Sequence, residues 1–255
     1  MRILVTALLA ASTLALVACA GGGGQPRLNK RQIAIVDRAL ARAPGAAQPS
    51  TIVAAELAFS RAARERGQWT AFREFAAPEA QIHGDNGPFA AAPWLAAQTD
   101  PPAAVQWSPR AVVVSCDGSL AVSKGRFRDP DGRVGNFVTV WERQADGEYR
   151  YVFDVGGEDN PQPPPKQAAE EGDIIVTAFD MVQGLIASCP RPGVPIVAPP
   201  PIVTPQNGKA NFSRDGTLRW IWTHSPDGSR YFSADYFYEG RWVDAIEQSL
   251  APAIK

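Results

Sequence analysis

The chain has 255 residues, 45% of them hydrophobic, with 25 Lys and Arg against 26 Asp and Glu for a net charge of -1. That length and apolar share are enough to bury a core of one or two domains. A nucleic-acid surface needs clustered Lys and Arg, and basic residues scattered among as many acidic ones exclude that class of partner.

At the N-terminus, Arg2 is followed by an apolar stretch over residues 3–17 and then by small residues, the pattern of an export signal. About 15 apolar residues fall short of the roughly 20 that a membrane-spanning helix needs. Leu16-Val17-Ala18-Cys19 resembles the lipobox of bacterial lipoproteins. The resemblance implies a signal peptide over residues 1–18 and a diacylglycerol thioether on Cys19. With Ala20 rather than Asp next, it also implies an outer-membrane anchor facing the periplasm. Ala18-Cys19-Ala20 equally satisfies the small-x-small rule of an ordinary signal-peptidase cut, which would leave a soluble periplasmic protein.

Residues 19–49 read as a tether, glycine-rich at first. Within it, Ile33, Val36 and Leu40 predict a short amphipathic helix over residues 32–43, either docked or solvated. From Ser50, a suitable N-cap, Ile52, Ala55, Phe59 and Ala62 recur at helical spacing as far as Gly67. Trp69, Phe72, Phe75 and Ala76 mark a second helix that stops at Pro78. Residues 79–83 suit a short strand, Asp85-Asn86-Gly87-Pro88 a turn, and residues 93–97 a helix opened by Pro93. Residues 110–155 read as four strands joined at Cys116-Asp117-Gly118, Pro130-Asp131-Gly132 and Ala145-Asp146-Gly147. In such turns Gly supplies φ > 0 and Asp bonds its own backbone. Helix, helix, strand, helix and then hairpin-linked strands predict an α+β fold, with helices on one face of an antiparallel sheet.

Several segments of this stretch resemble the nuclear-transport-factor-2-like (NTF2-like) superfamily. They are Glu56-Leu57-Ala58-Phe59, Gly67-Gln68-Trp69-Thr70-Ala71-Phe72, Trp107-Ser108-Pro109, Ser115-Cys116-Asp117-Gly118-Ser119, Val138-Thr139-Val140-Trp141 and Asp146-Gly147-Glu148-Tyr149. They are most similar to its DUF4440 and SnoaL-like branch of bacterial envelope proteins. The resemblance covers residues 50–160 and implies a cone, a bent antiparallel sheet wrapped around helices with a pocket at its open end.

Residues 161–255 depart from that pattern. Prolines cluster in residues 161–165 and 190–205 and favour extended connection. Residues 174–188 suit either a bent strand or a buried helix. Residues 217–251 return to hairpins, with turns at Pro226-Asp227-Gly228 and Glu239-Gly240. This tail is expected to extend or cover the main sheet. Ser115-x-Asp-Gly-Ser-Leu120 is echoed by Ser213-x-Asp-Gly-Thr-Leu218, either a duplicated unit or ordinary reuse of a favourable turn. With Cys19 set aside, Cys116 and Cys189 are an even pair in an exported protein, for which one disulfide is expected. Two separate buried thiols are the alternative.

The only histidines, His83 and His224, form no cluster at ligand spacing, so neither a metal nor a cofactor is expected. His83-Gly84-Asp85 is the first catalytic candidate, near where the superfamily's isomerases and dehydratases place pocket residues. A neutral imidazole suits general-base work, whereas Asp85-Asn86-Gly87 is also an ordinary exposed turn. Asp154 alternates with Arg150 and Val152, opposite Tyr151 and Phe153; it lies at a pocket floor or pairs with an arginine. Trp69, Phe72, Trp94, Phe137 and Trp141 line a small-molecule cavity or fill a core. These features predict a periplasm-facing, non-enzymatic lipoprotein that binds a small apolar ligand or an envelope protein, either as a monomer or as a structural homodimer paired through its sheet. An isomerase or hydro-lyase using His83 or Asp85 as base is the rival reading.

Overall fold

The computed structural model describes residues 47–164, 181–190, 193, 195–201 and 209–252. The expected signal peptide, Cys19 and the helix over residues 32–43 lie outside these residues. So do residues 174–180 of the expected strand or helix.

Proline and glycine delimit the first helices. Helix α1 (Pro49–Arg66) starts one residue before the expected cap, with Gln48 at the N-cap position. Proline needs no partner for a backbone N–H, and its fixed φ suits a first helical position. Gly67, at φ 109°, ends α1 and turns the chain into α2 (Gln68–Phe75). The Asp100 carboxylate caps that second helix, accepting the Trp69 and Thr70 N–H groups at 2.5 and 3.0 Å. Helix α3 (Ala91–Ala96) is a single short piece with Pro93 inside its first turn.

Strands dominate the rest. The first nine-residue strand, β1 (Ala76–Gly84), forms a hairpin with β2 (Gly87–Ala90). The expected ladder follows as β3 (Gln106–Val114), β4 (Leu120–Arg128), β5 (Val134–Arg143) and β6 (Tyr149–Glu158). With β7 (Gln183–Ile186) these make one sheet in the order β2-β1-β6-β5-β4-β3-β7. The tail strands β8 (Lys209–Phe212), β9 (Leu218–His224), β10 (Arg230–Tyr238) and β11 (Arg241–Leu250) make a second, antiparallel sheet.

These observations correct the expected α+β class and its antiparallel sheet. Strands hold 47% of the described residues and helices 18%, so the molecule is mainly β, built on two sheets. The larger sheet is also mixed, because β1 pairs with β6 and β3 with β7 in parallel. The order of elements was legible in the sequence, but their lengths and pairing were not. Residues 79–83 are only the middle of β1, and the tail hairpins bond to one another instead of prolonging the first sheet.

The larger sheet is buried on both faces. Val112 and Val114 pack with Ile52, Phe59, Leu95, Trp141 and Tyr151 against the helices. Val113, between them, packs with Val122, Val140, Phe153, Trp220 and Phe232 against the second sheet. Each such side chain contributes about 1.5–3 kcal/mol of burial, so the tail's sheet adds a second core as substantial as the first. The Cys116–Cys189 disulfide, with Cα atoms 5.1 Å apart, ties the end of β3 to the segment after β7. It closes a loop of 73 residues, for which chain entropy gives about 4 kcal/mol.

Two bulges set which side chains reach the helical face. Pairing slips between Pro109 and Ala111 on β3, and between Val140 and Trp141 where β5 meets β6. The second slip leaves Val152 as the extra residue. A bulge exchanges the faces of everything beyond it. Tyr151 therefore joins the helical core while Phe153 joins the inter-sheet core, although period-2 alternation puts them on one side.

Candidate functional site

Because of that bulge, Asp154 faces the helices. It lies in a cavity of about 420 Å³ between α2 and the ends of β4, β5 and β6, within the usual range for small-ligand sites. Phe59, Trp69, Phe72, Trp107, Phe127 and Phe137 supply aromatic walls. The rim carries Asp85, Arg133, Glu158 and Asp159, and the tail adds Arg230, Ala251 and Pro252.

The walls are held from behind. Glu56 of α1 is fully buried. Its carboxylate accepts the indole N–H groups of Trp107 at 3.0 Å and Trp141 at 3.1 Å, and the Ser123 hydroxyl at 2.5 Å. Burial pushes the Glu56 carboxyl upward, and those hydrogen bonds partly oppose the shift. The Ser60 hydroxyl donates to the Trp107 carbonyl at 2.9 Å. Gly125 makes room for Phe137: a Cβ there would lie 2.1 Å from the Ser108 carbonyl oxygen and 2.5 Å from the Phe137 ring.

Asp154 itself accepts a hydrogen bond from the Thr139 hydroxyl at 2.8 Å. None of the ion pairs among the described residues includes it. Burial pushes its pKa up to about 7, Thr139 holds it down somewhat, and Glu56 adds a further upward push. The side chain is half-buried because its exposed surface faces the cavity. Such a carboxyl can exchange a proton near neutral pH, or carry a charge that a ligand can match.

The other expected site residues divide between cavity and core. Trp69, Phe72 and Phe137 line the cavity. Trp94 stacks edge-to-face on Trp69 at 5.0 Å, and Trp141 is fully buried beside Glu56. His83 and Asp85 do not converge. The His83 ring is buried between the sheets, 3.1 Å from His224 across a ring-nitrogen hydrogen bond and 5.0 Å from the Trp222 ring centroid. Burial first, then Arg230 and His224, lower its pKa to about 4. Asp85 sits at the rim, half exposed, 3.3 Å from Arg230. Among the described residues no three His, Cys, Asp or Glu side chains gather as a metal site.

Glu56, Trp107, Thr139 and Arg230 were not singled out for the site from the sequence. Glu56 left a signal, since it interrupts the apolar stripe of Ile52, Phe59 and Ala63 on the face of α1 that becomes buried. A carboxylate at such a position needs internal donors. Arg230 left none. It enters from the second sheet, where its guanidinium donates to the His83 and Gly156 carbonyls at 3.2 and 3.0 Å.

No family model and no curated protein matches the chain. Solved structures do resemble part of it. One, from Exiguobacterium sibiricum, is described as a Ca/calmodulin-dependent kinase II association domain, and another, from Mesorhizobium loti, as an NTF2-like protein of unknown function. Each is 18% identical over 44% of this chain, with a TM-score of 0.30, covering 95% of the first and 94% of the second. The NTF2-like likeness is thus met among solved structures at low identity and over part of the chain.

Proposed function

We propose that the chain is a small-molecule-binding module whose ligand site is the aromatic cavity floored by Asp154. The observation that carries the reading is a partly open cavity with aromatic walls and charged residues at its rim, into whose floor the Asp154 and Thr139 pair is directed. A fluorescence titration with 1-naphthylmethanol tests it. One-site saturation is expected, weakened at least about tenfold by Gly156→Leu. Gly156 lines the cavity, and a Cβ there meets only ordinary contacts of 3.7 Å or more, so the longer side chain fills the space without disturbing the backbone. Binding that persists unchanged in that variant would place the ligand elsewhere.

A second reading is favoured by the raised Asp154 pKa. A carboxyl poised near neutral pH in an apolar cavity suits proton transfer of the isomerase or hydro-lyase type. Asp154 takes the place of His83 and Asp85 as the base. Turnover abolished by Asp154→Asn with binding retained would favour this reading over binding alone.

The module is further proposed to be a monomeric, periplasm-facing lipoprotein of the outer membrane, anchored through Cys19. The lipobox-like Leu16-Val17-Ala18-Cys19 supports the anchor, and the Cys116–Cys189 pair is compatible with an oxidising compartment. Palmitate labelling that survives Cys19→Ala would remove the anchor.

A further inference from the structure

We infer that the cavity takes an organic cation, an ammonium group on a compact apolar body, seated between the aromatic walls and the Asp154–Thr139 floor. This rests on the binding reading above and narrows it to a ligand class.

The charges around the cavity decide the sign. At its rim Arg133 pairs with Glu158 and Arg230 with Asp85, while Arg126, just outside, takes Asp159 in a two-pronged contact. Each rim arginine is therefore already matched by a carboxylate. Asp154, deeper in, has a hydroxyl for its partner, and no ion pair among the described residues includes it. A carboxyl held among aromatic rings gains most from a ligand that brings the missing positive charge, because attraction is stronger where water is scarce. The walls act in the same direction. The faces of Phe and Trp rings attract cations, and quaternary ammonium groups are recognised by such rings. An anionic ligand would meet the opposite field, with four carboxylates and two arginines lining the same space.

The proton count follows. An ammonium favours ionised Asp154, so its entry expels a proton wherever Asp154 was neutral. Other charged groups act at the same place: Glu56 from α1, buried behind the walls, pushes on Asp154, while Asp85 from the β1–β2 turn, Arg133 before β5, Glu158 and Asp159 at the end of β6, and Arg230 from β10 line the cavity. A pH effect belongs to Asp154 only if it disappears when Asp154 does.

The experiment is calorimetric titration of the protein with a near-isosteric pair, 1-naphthylmethylamine and 1-naphthylmethanol, at about pH 8 and about pH 5.5. Expected is a preference for the amine of at least about tenfold at the higher pH. The preference should shrink towards unity at the lower pH and be lost in Asp154→Asn. Equal affinity at the higher pH, or a preference that survives both acid and Asp154→Asn, would overturn the cation inference and leave the cavity reading standing. If neither compound binds, both readings fall. The comparison of the two pH values on the unaltered protein needs no variant to fold.

Discussion

The backbone N–H of Asp117 donates to the Asp215 carboxylate at 2.9 Å. That bond joins the two segments whose sequences echo each other. Beside it, the Cys116 N–H donates to the Thr217 hydroxyl at 3.0 Å, and the Arg214 N–H to the Ser119 hydroxyl at 3.3 Å. The same turn serves both sheets, and the two copies dock on each other at the end of the sandwich. Within each copy the first serine hydroxyl donates to the Asp carboxylate, at 2.7 Å in Ser115–Asp117 and 2.6 Å in Ser213–Asp215.

Asp215→Ala removes an acceptor from a buried junction and leaves the Asp117 N–H without its partner. An unfolding cost of about 1–3 kcal/mol is expected, with Asp215→Asn costing less because its carbonyl oxygen can still accept. Urea titrations of the two variants check the order; because the other Asp215 oxygen also accepts the Ser213 hydroxyl and the Thr217 N–H, equal losses would show that one carbonyl oxygen does not hold the junction.

Reduction of Cys116–Cys189 frees a loop of 73 residues, and a loss of up to about 4 kcal/mol is expected on entropic grounds. The thermal midpoint of the unaltered protein should fall in dithiothreitol. That of the Cys116→Ser, Cys189→Ser double variant should start lower and ignore the reductant.

His83 makes the inter-sheet contact sensitive to acid. Its folded pKa of about 4 lies below the ordinary imidazole value of 6.5, so the unfolded chain binds the extra proton between those values. The full contribution is present above about pH 6.5 and lost as pH falls to about 4, a swing on the order of 3 kcal/mol. Chemical unfolding across that window should show a smaller slope in His83→Gln than in the unaltered protein.

Asp154 titrates in the opposite sense. Its folded pKa of about 7 lies above the ordinary aspartate value of 3.8, so the folded chain holds the extra proton and stability declines as pH rises through that window. Asp154→Asn should therefore stabilise the protein at about pH 8, by on the order of 2 kcal/mol after allowing for water in the cavity. Little gain is expected at about pH 4. Stability gained at the cost of binding is common where a site holds a strained charge.

Gly125→Ala should act on stability and site together. The added Cβ meets the Ser108 carbonyl and the Phe137 ring, and crowding of that kind costs about 1–3 kcal/mol. Displacement of Phe137 should also weaken naphthyl binding, read by the same fluorescence titration. Unchanged affinity would mean that Phe137 is not a working wall of the site.

The amino-acid sequence by itself determined the turns, the strands of the central ladder and the helices before it. These are local matters: Gly118, Gly132 and Gly147 all take the positive φ that an Asp-Gly turn demands, and Ile52 and Phe59 fall on one helical face because of their spacing alone. The pairing of Cys116 with Cys189 was also within reach, since few cysteines leave few partners. Tertiary structure alone decided the mainly β class, the parallel pairing of β1 with β6 and of β7 with β3, and the side of the sheet that each residue faces. One extra residue at Val152 sends Tyr151 and Phe153 to different cores and turns Asp154 into the cavity, and nothing in the period of the sequence announces a bulge. His83 and Asp85 are two residues apart on the chain, yet one is sealed against His224 between the sheets and the other lies at the cavity rim. Long-range packing made that division, because the second sheet, which covers the His83 face, is built from residues more than a hundred positions away.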